Sequence, residues 1–325
     1  MAALSDISTA RTAPAPAVVA VGGPTATGKT ALSVRLARRF GGEIVSADSM
    51  QLYKGLSVGT AKATPEEQAG IPHHLLDLLS PQQTFSVAEY TALAGAAIEG
   101  ITARGRLPIV AGGTGLYITS LLNGVRFLPQ QADPAYRQAL ERRAAAGEGD
   151  ALYAELRQTD PAAAAGIHPH NLPRVIRALE ICHLAGDHAA TAQRAASRPA
   201  APPYRSLCLC LTCRDRAVLY RRIDERVARM MANGLLDEAA WVWQNRDACR
   251  TAAQAIGYKE FFPYFAGTAP LQDCVAALQQ ASRRYAKRQL TWFRNQGGAV
   301  WLYLDEEDVG AKAEALTEAF LLDHE

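Results

Sequence analysis

The chain contains 325 residues, of which 49% are hydrophobic and 20% are charged, and its formal net charge is only +2. These values exclude a highly charged disordered protein and predict a full core, organised as two domains or as one domain with an insertion. No apolar run reaches the length of a membrane span, and the N-terminus lacks the basic and then apolar pattern of a secretory signal. Residues 1–16 are rich in Ala, Pro, Ser and Thr, so we expect a disordered N-terminal extension there.

Short apolar runs in the first 127 residues alternate with segments of helical spacing. The predicted strands cover residues 17–22, 43–47 and 107–111, and the predicted helices cover 31–40 and 86–103. This alternation predicts an α/β fold in which a P-loop parallel sheet core is flanked by helices. Ligands of such sheets bind beyond the carboxyl ends of the strands.

The composition changes to Ala and Arg after residue 127. Helical candidates follow at 134–146, 150–157 and 173–184, and residues 190–203 are predicted to be a linker. We therefore predict an all-α insertion domain at 128–203, inserted in a P-loop catalytic core made of residues 17–127 and 204–325. The later elements predicted for that core are a strand at 206–211 and helices at 216–231, 235–245 and 273–295.

The cysteine pattern gives little support for a metal site. Only Cys208, Cys210 and Cys213 are clustered, and no matching Cys or His pair follows at zinc-finger spacing. Because they lie in or beside an apolar run, buried thiols are favoured over metal ligands. Reduced cysteines of this kind favour a cytoplasmic protein.

The segment from Gly23 to Thr30 reads GPTATGKT and matches the phosphate-binding pattern G-x-x-x-x-G-K-[ST]. It lies between a predicted strand and a predicted helix, which is the context that the motif requires. Backbone N–H groups and the helix N-terminus face the phosphates, Lys29 adds a positive charge, and the Thr30 hydroxyl can ligate Mg²⁺. The motif predicts a bound diphosphate or triphosphate with Mg²⁺ as cofactor, and it does not identify the molecule that carries the phosphates.

An acid that could assist this loop is found after the second predicted strand. A kinase or hydrolase usually has an aspartate at the end of another strand, but residues 107–111 are followed by Gly112-Gly113-Thr114-Gly115. The nearest acid is Asp48, which could orient a metal ion or accept a proton from a nucleophile. An aspartate in this place could equally cap a helix. Both interpretations stay open from position alone.

A basic strip near the C-terminus predicts contact with a polyanion. Residues 275–304 include no acid, and their basic residues are Arg283, Arg284, Lys287, Arg288 and Arg294. A solvated helix face would normally carry interspersed acids, so we expect a polyanion to bind at one face here. At helical spacing, residues 284, 287, 288 and 291 share one face of the predicted helix. Residues 285 and 292 share another face, and for these two aromatic side chains core packing is favoured over base stacking.

Eight segments, in order along the chain, resemble the signatures of the tRNA dimethylallyltransferase family, also called tRNA isopentenyltransferases. They begin at residues 23, 48, 58, 72, 112, 177, 256 and 285 and read GPTATGKT, DSMQ, VGTAK, PHHLLD, GGTGLY, RALE, IGYKE and YAKRQLTWFR. The family's usual HPND is here His168-Pro169-His170-Asn171, which changes the local turn chemistry. No C-terminal zinc finger is seen, which favours the bacterial type.

The resemblance implies transfer of a dimethylallyl group from its diphosphate to the exocyclic N6 amine of the adenosine 3′-adjacent to the anticodon of a tRNA, with release of diphosphate. It implies that Asp48 is the general base, that Thr114 hydrogen-bonds near the adenosine, and that Gln51 helps to read the base. Arg226, which would otherwise be taken for a solvated helix residue, is implied to lie near the diphosphate. The diphosphate-binding residues implied are Gly23, Pro24, Thr25, Ala26, Thr27, Gly28, Lys29 and Thr30.

The partner implied is the anticodon loop of tRNA, whose target base must be flipped out of its stack to enter a pocket. The residues implied to bind tRNA are Asp48, Ser49, Met50, Gln51, Thr114, Arg137, Pro173, Arg174, Val175, Ile176, Arg177, Gln254, Ala255, Ile256, Gly257, Tyr258, Lys259, Lys287, Arg288, Gln289, Leu290, Thr291, Trp292, Phe293 and Arg294. The helical insertion is expected to contribute to this binding. We expect a monomer with no membrane partner.

Three alternatives remain open from the sequence. A small-molecule kinase of the nucleotide or shikimate type shares the loop and sheet, but it predicts an acid after the third strand and a shorter chain. An adenylate isopentenyltransferase, which acts on free AMP or ADP, shares the chemistry but needs no long basic face. A non-catalytic RNA-binding P-loop protein predicts no turnover that depends on Asp48.

Overall fold

The structure, a computed structural model, describes residues 15–127, 133–197, 199, 201–306 and 308–323. The predicted N-terminal extension therefore lies outside the described residues except for its last two positions. The strands are β1 (Ala17–Gly22), β2 (Gly42–Ser46), β3 (His73–His74), β4 (Leu107–Ala111), β5 (Arg205–Thr212) and β6 (Ala299–Tyr303). The helices are α1 (Lys29–Phe40), α2 (Pro65–Gln68), α3 (Val87–Ala103), α4 (Gly115–Leu122), α5 (Pro134–Ala145), α6 (Gly149–Thr159), α7 (Pro161–Ala165), α8 (Leu172–Ala185), α9 (Ala189–Ala196), α10 (Arg216–Ala232), α11 (Leu235–Gln244), α12 (Arg250–Ala253), α13 (Phe262–Phe265), α14 (Leu271–Gln296) and α15 (Val309–Leu322), with a 3₁₀ turn at Lys259–Phe261.

The chain divides into two compact units, and the first contains the sheet. This unit comprises residues 1–122 and 203–325. Its six strands are all parallel, in the order β3-β2-β4-β1-β5-β6, so β1 lies between β4 and β5. The predicted α/β fold with a parallel sheet is confirmed. The runs at 17–22 and 107–111 coincide with β1 and β4.

Both faces of the sheet are covered, which explains why its central strands are continuous apolar runs. Successive side chains of β1 point to opposite faces, so Val18 packs with α3, α4 and α14 while Val19 packs with α1 and α15. Both valines are fully buried. The resulting layers fix the carboxyl ends of β1, β2 and β4 at one edge, where the functional loops begin.

The second unit comprises residues 123–202 and is all helical in its described part. Helices α5 to α9 pack around buried residues that include Leu152, Leu156, Val175 and Leu179. The linker predicted at 190–203 is wrong over its first part, because Ala189–Ala196 forms α9. The first turn of this helix is held by Asp160, whose carboxylate accepts hydrogen bonds from the backbone N–H and the hydroxyl of Thr191 at 2.8 and 2.6 Å.

Candidate active site

The phosphate loop, residues 23–30, connects β1 to α1 in a conformation that needs glycine. Gly23 has φ 123° and Gly28 has φ 80°, and a Cβ at Gly23 would overlap the carbonyl oxygen of Leu211 on the neighbouring strand. Gly28 caps α1 without a side-chain hydrogen bond, so the first N–H groups of that helix are not capped by a side chain. Uncapped N–H groups at a helix N-terminus form an anion-binding site.

Side chains from distant parts of the chain hold this loop in place. Within the loop, Lys29 Nζ and Thr27 Oγ1 both donate to the carbonyl oxygen of Pro24, at 2.7 and 2.8 Å. From α10, Arg222 Nε donates to the Ala26 carbonyl at 2.9 Å. From α14, the side-chain oxygen of Gln289 accepts from Thr25 N–H at 3.0 Å. The loop is therefore preorganised by contacts on both of its sides.

An open cleft of about 1030 Å³ lies next to the loop. It brings together Lys29, Thr30, Asp48 and Arg226, which are separated by up to about two hundred positions in the sequence. The other predicted site residues that line it are Thr25, Ala26, Gly28, Ser49, Met50, Gln51, Gln254, Ala255, Ile256 and Gln289. The loops after β1, β2 and β4 all reach the cleft, as expected for the carboxyl edge of a parallel sheet.

The cleft carries a concentration of positive charge. Burial, and secondly the neighbouring Arg226, lower the pKa of Lys29 to about 8. Burial also lowers the pKa of Arg226, while the nearby Asp48 opposes that shift. Arg222 and Arg229, on the same helix as Arg226, line the cleft as well. Cations held this close together and partly desolvated are suited to bind a polyvalent anion such as a diphosphate.

Asp48 lies at the end of β2 and faces this cationic cluster. Its Oδ1 accepts the backbone N–H of Met50 at 2.9 Å, which stabilises a turn. No helix begins after it, because the next helix starts at Pro65, so the helix-cap interpretation is wrong. Thr114, from the loop after β4, approaches the same segment, since its hydroxyl accepts Ser49 N–H at 3.1 Å. The Thr114 hydroxyl is therefore bonded to the segment that carries Asp48, although Thr114 is not among the residues that line the cleft.

Gln51 is engaged within the protein. Its Nε2 donates to the carbonyls of Thr60 and Ala61 at 3.2 and 3.3 Å, and its Oε1 accepts the Ser46 hydroxyl at 3.3 Å. Both ends of the side-chain amide are therefore occupied. In this conformation Gln51 positions the 57–62 loop rather than offering its amide to a base.

The 57–62 loop is held by Glu238, a residue that no sequence motif singles out. The Glu238 carboxylate accepts the successive N–H groups of Ser57, Val58 and Gly59 at 2.8 to 2.9 Å, and the Tyr258 hydroxyl at 2.7 Å. A Cβ at Gly59 would lie only 2.6 Å from the Tyr258 ring. Charge-assisted bonds to three consecutive amides fix the wall of the cleft that contains this loop.

The predicted basic face of α14 is confirmed as an exposed surface. Residues 284, 287, 288 and 291 are all exposed. On the opposite side, Phe293 is 2% exposed and packs against Gly22, and Trp292 packs against Gly115. Trp292 is half-buried and its ring contacts Gly115, which favours packing over base stacking for this residue. Tyr285 differs, because it lines the cleft, where burial raises its pKa to about 12.

Several predicted tRNA-binding residues have no side chain exposed for such a contact. Val175 and Ile176 belong to the core of the helical unit, and Tyr258, Gln289 and Phe293 are buried in the sheet-containing unit. For these five, the expectation of a direct side-chain contact does not fit the structure, since hydrophobic packing and the Gln289 hydrogen bonds already occupy them. The neighbouring Pro173, Arg174, Arg177, Gln254, Lys259 and Arg294 are exposed.

Arg137, on the helical unit, is partly committed to ion pairs. Its guanidinium donates to Glu141 at 2.9 Å and to the nearly buried Glu180 at 3.1 Å. Arg177 lies 3.6 Å from the same Glu180 carboxylate. Arg137 and Arg177 face two carboxylates, Glu141 and Glu180, so these ion pairs balance and add no net positive charge at this surface.

The cysteines are free thiols, and most are buried. All six are unpaired in the described part of the chain, with Cys208 partly exposed and its Sγ 3.9 Å from that of Cys210. No group of three or more Cys, His, Asp or Glu side chains among the described residues could hold a metal ion. No helix among them combines the length and apolar character needed to cross a membrane.

Comparison with known proteins connects this geometry to a family. The family model described as IPP transferase matches residues 51–296. The chain belongs to the IPP transferase family. It is 48% identical to the tRNA dimethylallyltransferase of Geobacillus thermodenitrificans, over 92% of this chain and 94% of that protein. It is 49% identical to the enzyme of the same name from Lactiplantibacillus plantarum, over 89% and 92%.

Solved structures of family members share the fold. A crystal structure of tRNA isopentenylpyrophosphate transferase from Bacillus halodurans has a TM-score of 0.69 at 42% identity, covering 94% of this chain and 96% of that one. A eukaryotic dimethylallyltransferase acting on tRNA has a TM-score of 0.79 at 28% identity, covering 94% and 79%. The likeness extends over nearly the whole chain, which confirms the resemblance drawn from the eight sequence segments.

Proposed function

We propose that the protein transfers a dimethylallyl group from dimethylallyl diphosphate to the N6 amine of the adenosine at position 37 of tRNA. The observation that carries this proposal is the cleft in which the Lys29 and Arg226 cations adjoin the Asp48 carboxylate, within a chain of the IPP transferase family. An anion site and a proton acceptor side by side are what an amine alkylation with a diphosphate leaving group requires.

In the first half of the reaction, the bond between the allylic carbon and the diphosphate oxygen breaks. Its electron pair leaves with the diphosphate, so negative charge grows on that oxygen while the allylic carbon becomes electron-poor. Lys29, Arg226 and N–H groups of the phosphate loop stabilise the growing negative charge. The loop needs little reorganisation, because contacts from Gln289 and Arg222 already hold it in place.

In the second half, the adenine amine supplies the electron pair of the new bond from nitrogen to carbon. This amine is a poor nucleophile, since its lone pair is delocalised into the ring, so it must be held at the carbon and lose a proton as it attacks. Asp48 accepts that proton and later releases it to solvent. Thr114, whose hydroxyl lies beside Ser49, orients the acceptor.

Mg²⁺ suits the oxygen donors in the cleft. Mg²⁺ binds few protein oxygens and takes its remaining ligands from phosphates and water, and the Thr30 hydroxyl and Asp48 carboxylate both line the cleft. When bound there, it would neutralise charge on the diphosphate. Thr30 is the residue that we propose as its ligand.

The tRNA would bind through phosphate contacts on the exposed face of α14 and on the helical unit. The exposed arginines and lysines described above support this assignment, and Arg283 is excluded from it, because its guanidinium pairs with Asp224 at 2.6 Å. The target adenosine would be flipped out of the anticodon loop to reach Asp48. A cytoplasmic location follows from a tRNA substrate.

Incubation of the protein with dimethylallyl diphosphate, Mg²⁺ and unmodified tRNA, followed by mass analysis of the nucleosides, tests the proposal. We expect an adenosine that has gained one dimethylallyl group. Parallel reactions with AMP, and with ATP plus small acceptors, separate the alternatives: prenylated AMP would indicate an adenylate isopentenyltransferase, and phosphoryl transfer would indicate a kinase. Either result without tRNA prenylation would overturn the proposal.

A further inference from the structure

Gln289 connects the two loops that hold the reacting groups. Its side chain lies between the phosphate loop and the glycine loop, residues 112–115, which follow the adjacent strands β1 and β4. Its Oε1 accepts Thr25 N–H at 3.0 Å, and its Nε2 donates to the Gly113 carbonyl at 2.8 Å. The residue is only 5% exposed although it borders the cleft, so these bonds are largely shielded from competing water.

The surroundings of Gln289 match the size and the hydrogen-bonding groups of an amide side chain. A Cβ at Gly113 would overlap Gln289 Nε2, so a glycine is needed for the amide to approach. The position also requires one acceptor and one donor at fixed places. A glutamine offers both, whereas a glutamate cannot donate and a lysine cannot accept.

The helix that carries Gln289 is itself fixed against the same loops. Phe293, one turn further along α14, packs against Gly22 at the end of β1, just before the phosphate loop, and Trp292 packs against Gly115. Tyr285, one turn earlier, has its hydroxyl near Thr114 and Gln289. Gln289 is therefore presented by a rigid support, which gives its two hydrogen bonds a defined geometry.

We propose that Gln289 is a positioning residue that sets the distance between the diphosphate and the acceptor amine, and that it does not contact RNA. This inference rests on the proposed function. The phosphate loop would carry the leaving group, and Thr114, adjacent to Gly113, would orient the adenosine. A displacement of about 1 Å between reacting groups can cost about a hundredfold in rate.

The test compares three variants in steady-state prenylation. Gln289→Met is nearly isosteric and loses both hydrogen bonds, whereas Gln289→Glu keeps the acceptor for Thr25 N–H and loses the donor to Gly113. Gln280→Ala, at an exposed position of the same helix, is the control. We expect kcat per active site to fall about 10- to 100-fold in both Gln289 variants, with KM for each substrate changed by less than about threefold. The control should match the wild type.

Amide hydrogen exchange gives a second readout that does not need activity. Peptides that contain Thr25 or residues 112–115 should exchange faster in both Gln289 variants than in the wild type and in Gln280→Ala. If kcat is unchanged, or if only KM for tRNA rises, Gln289 is not a positioning residue. If the wild-type protein prenylates no tRNA, the proposed function fails, and unchanged exchange would then overturn the positioning role as well. Should one variant fail to fold, the other decides.

Discussion

The two faces of α14 differ in how their polar groups are satisfied. On the inner face, Gln289 is buried and bonded to two loops, and Phe293 fills the space over Gly22. On the outer face, Lys287 and Arg288 are exposed, and α14 contains no acidic residue after Asp273. Buried contacts keep their strength as salt rises, whereas exposed charges are screened. The inner face is thus suited to hold geometry and the outer face to bind a polyanion reversibly.

The largest expected effect comes from removing the base in the cleft. Asp48→Asn should lower the single-turnover rate of prenylation by about 10²- to 10⁴-fold, which is the usual contribution of a general base. Affinity for tRNA should stay within about twofold, because the outer face of α14 is untouched. Asp273→Asn, at an exposed position near the start of α14, serves as the control. A normal rate in Asp48→Asn would assign the proton to another acceptor.

A second variant tests whether the cleft wall must be rigid. Glu238→Gln replaces a carboxylate oxygen that accepts two hydrogen bonds by an NH₂ group that cannot accept them. We expect kcat/KM to fall about tenfold, because a charged hydrogen bond is worth about 1.5–3 kcal/mol. Tyr258→Phe, which removes one of the four bonds, should have a smaller effect. Equal activity in wild type and Glu238→Gln would show that the wall tolerates movement.

The pH dependence of diphosphate binding separates the cleft from the outer face. Because the pKa of Lys29 is lowered to about 8, its ammonium loses its proton as pH rises through that value, and affinity for the anion should fall. Between pH 7 and pH 9 the protonated fraction drops about tenfold. Calorimetric titration with dimethylallyl diphosphate, whose phosphates are already ionised above neutral pH, measures this. Lys29→Arg should flatten the profile, and a flat profile in the wild type would contradict the assigned pKa.

The smallest effect is expected on the outer face. Arg288→Ala should reduce the slope of log affinity for tRNA against log salt by about one unit, with little change in kcat. Arg246→Ala, which removes an exposed arginine stacked on Trp243, is a matched control. An unchanged slope in Arg288→Ala would place the tRNA on a different surface. A large loss of kcat would instead show that the two faces of α14 are not independent.

The buried strands were the most predictable part of the fold. β1 and β4 are covered on both faces, so burial requires an unbroken apolar run that the sequence displays directly. β3 has only two residues and β6 is only partly buried, and neither was predicted. The sequence of helix α9 resembles a linker because the helix buries no side chain and begins without a side-chain cap, so it carries none of the usual helix signals.

The site was predictable where chemistry is encoded by adjacent residues. The phosphate loop has a local motif, and Asp48 could be selected by its place after a strand. Gln289 and Glu238 could not be assigned their roles, because their partners lie 264 and about 180 positions away in the chain. For the same reason the sequence predicts Gln289 as a tRNA contact: neighbours such as Lys287 and Arg288 are exposed, and only the three-dimensional packing shows that the Gln289 side chain points inward.

The place of β1 in the sheet has a consequence for synthesis of the protein. Its neighbour on one side, β5, and the Gln289 amide that holds the phosphate loop are both translated long after β1 itself. A nascent chain that has emerged only as far as α4 therefore has the glycine-rich segment but neither of these supports. The anion site cannot take its final form until α14 has been translated, so shorter nascent chains should be poor competitors for prenyl donors.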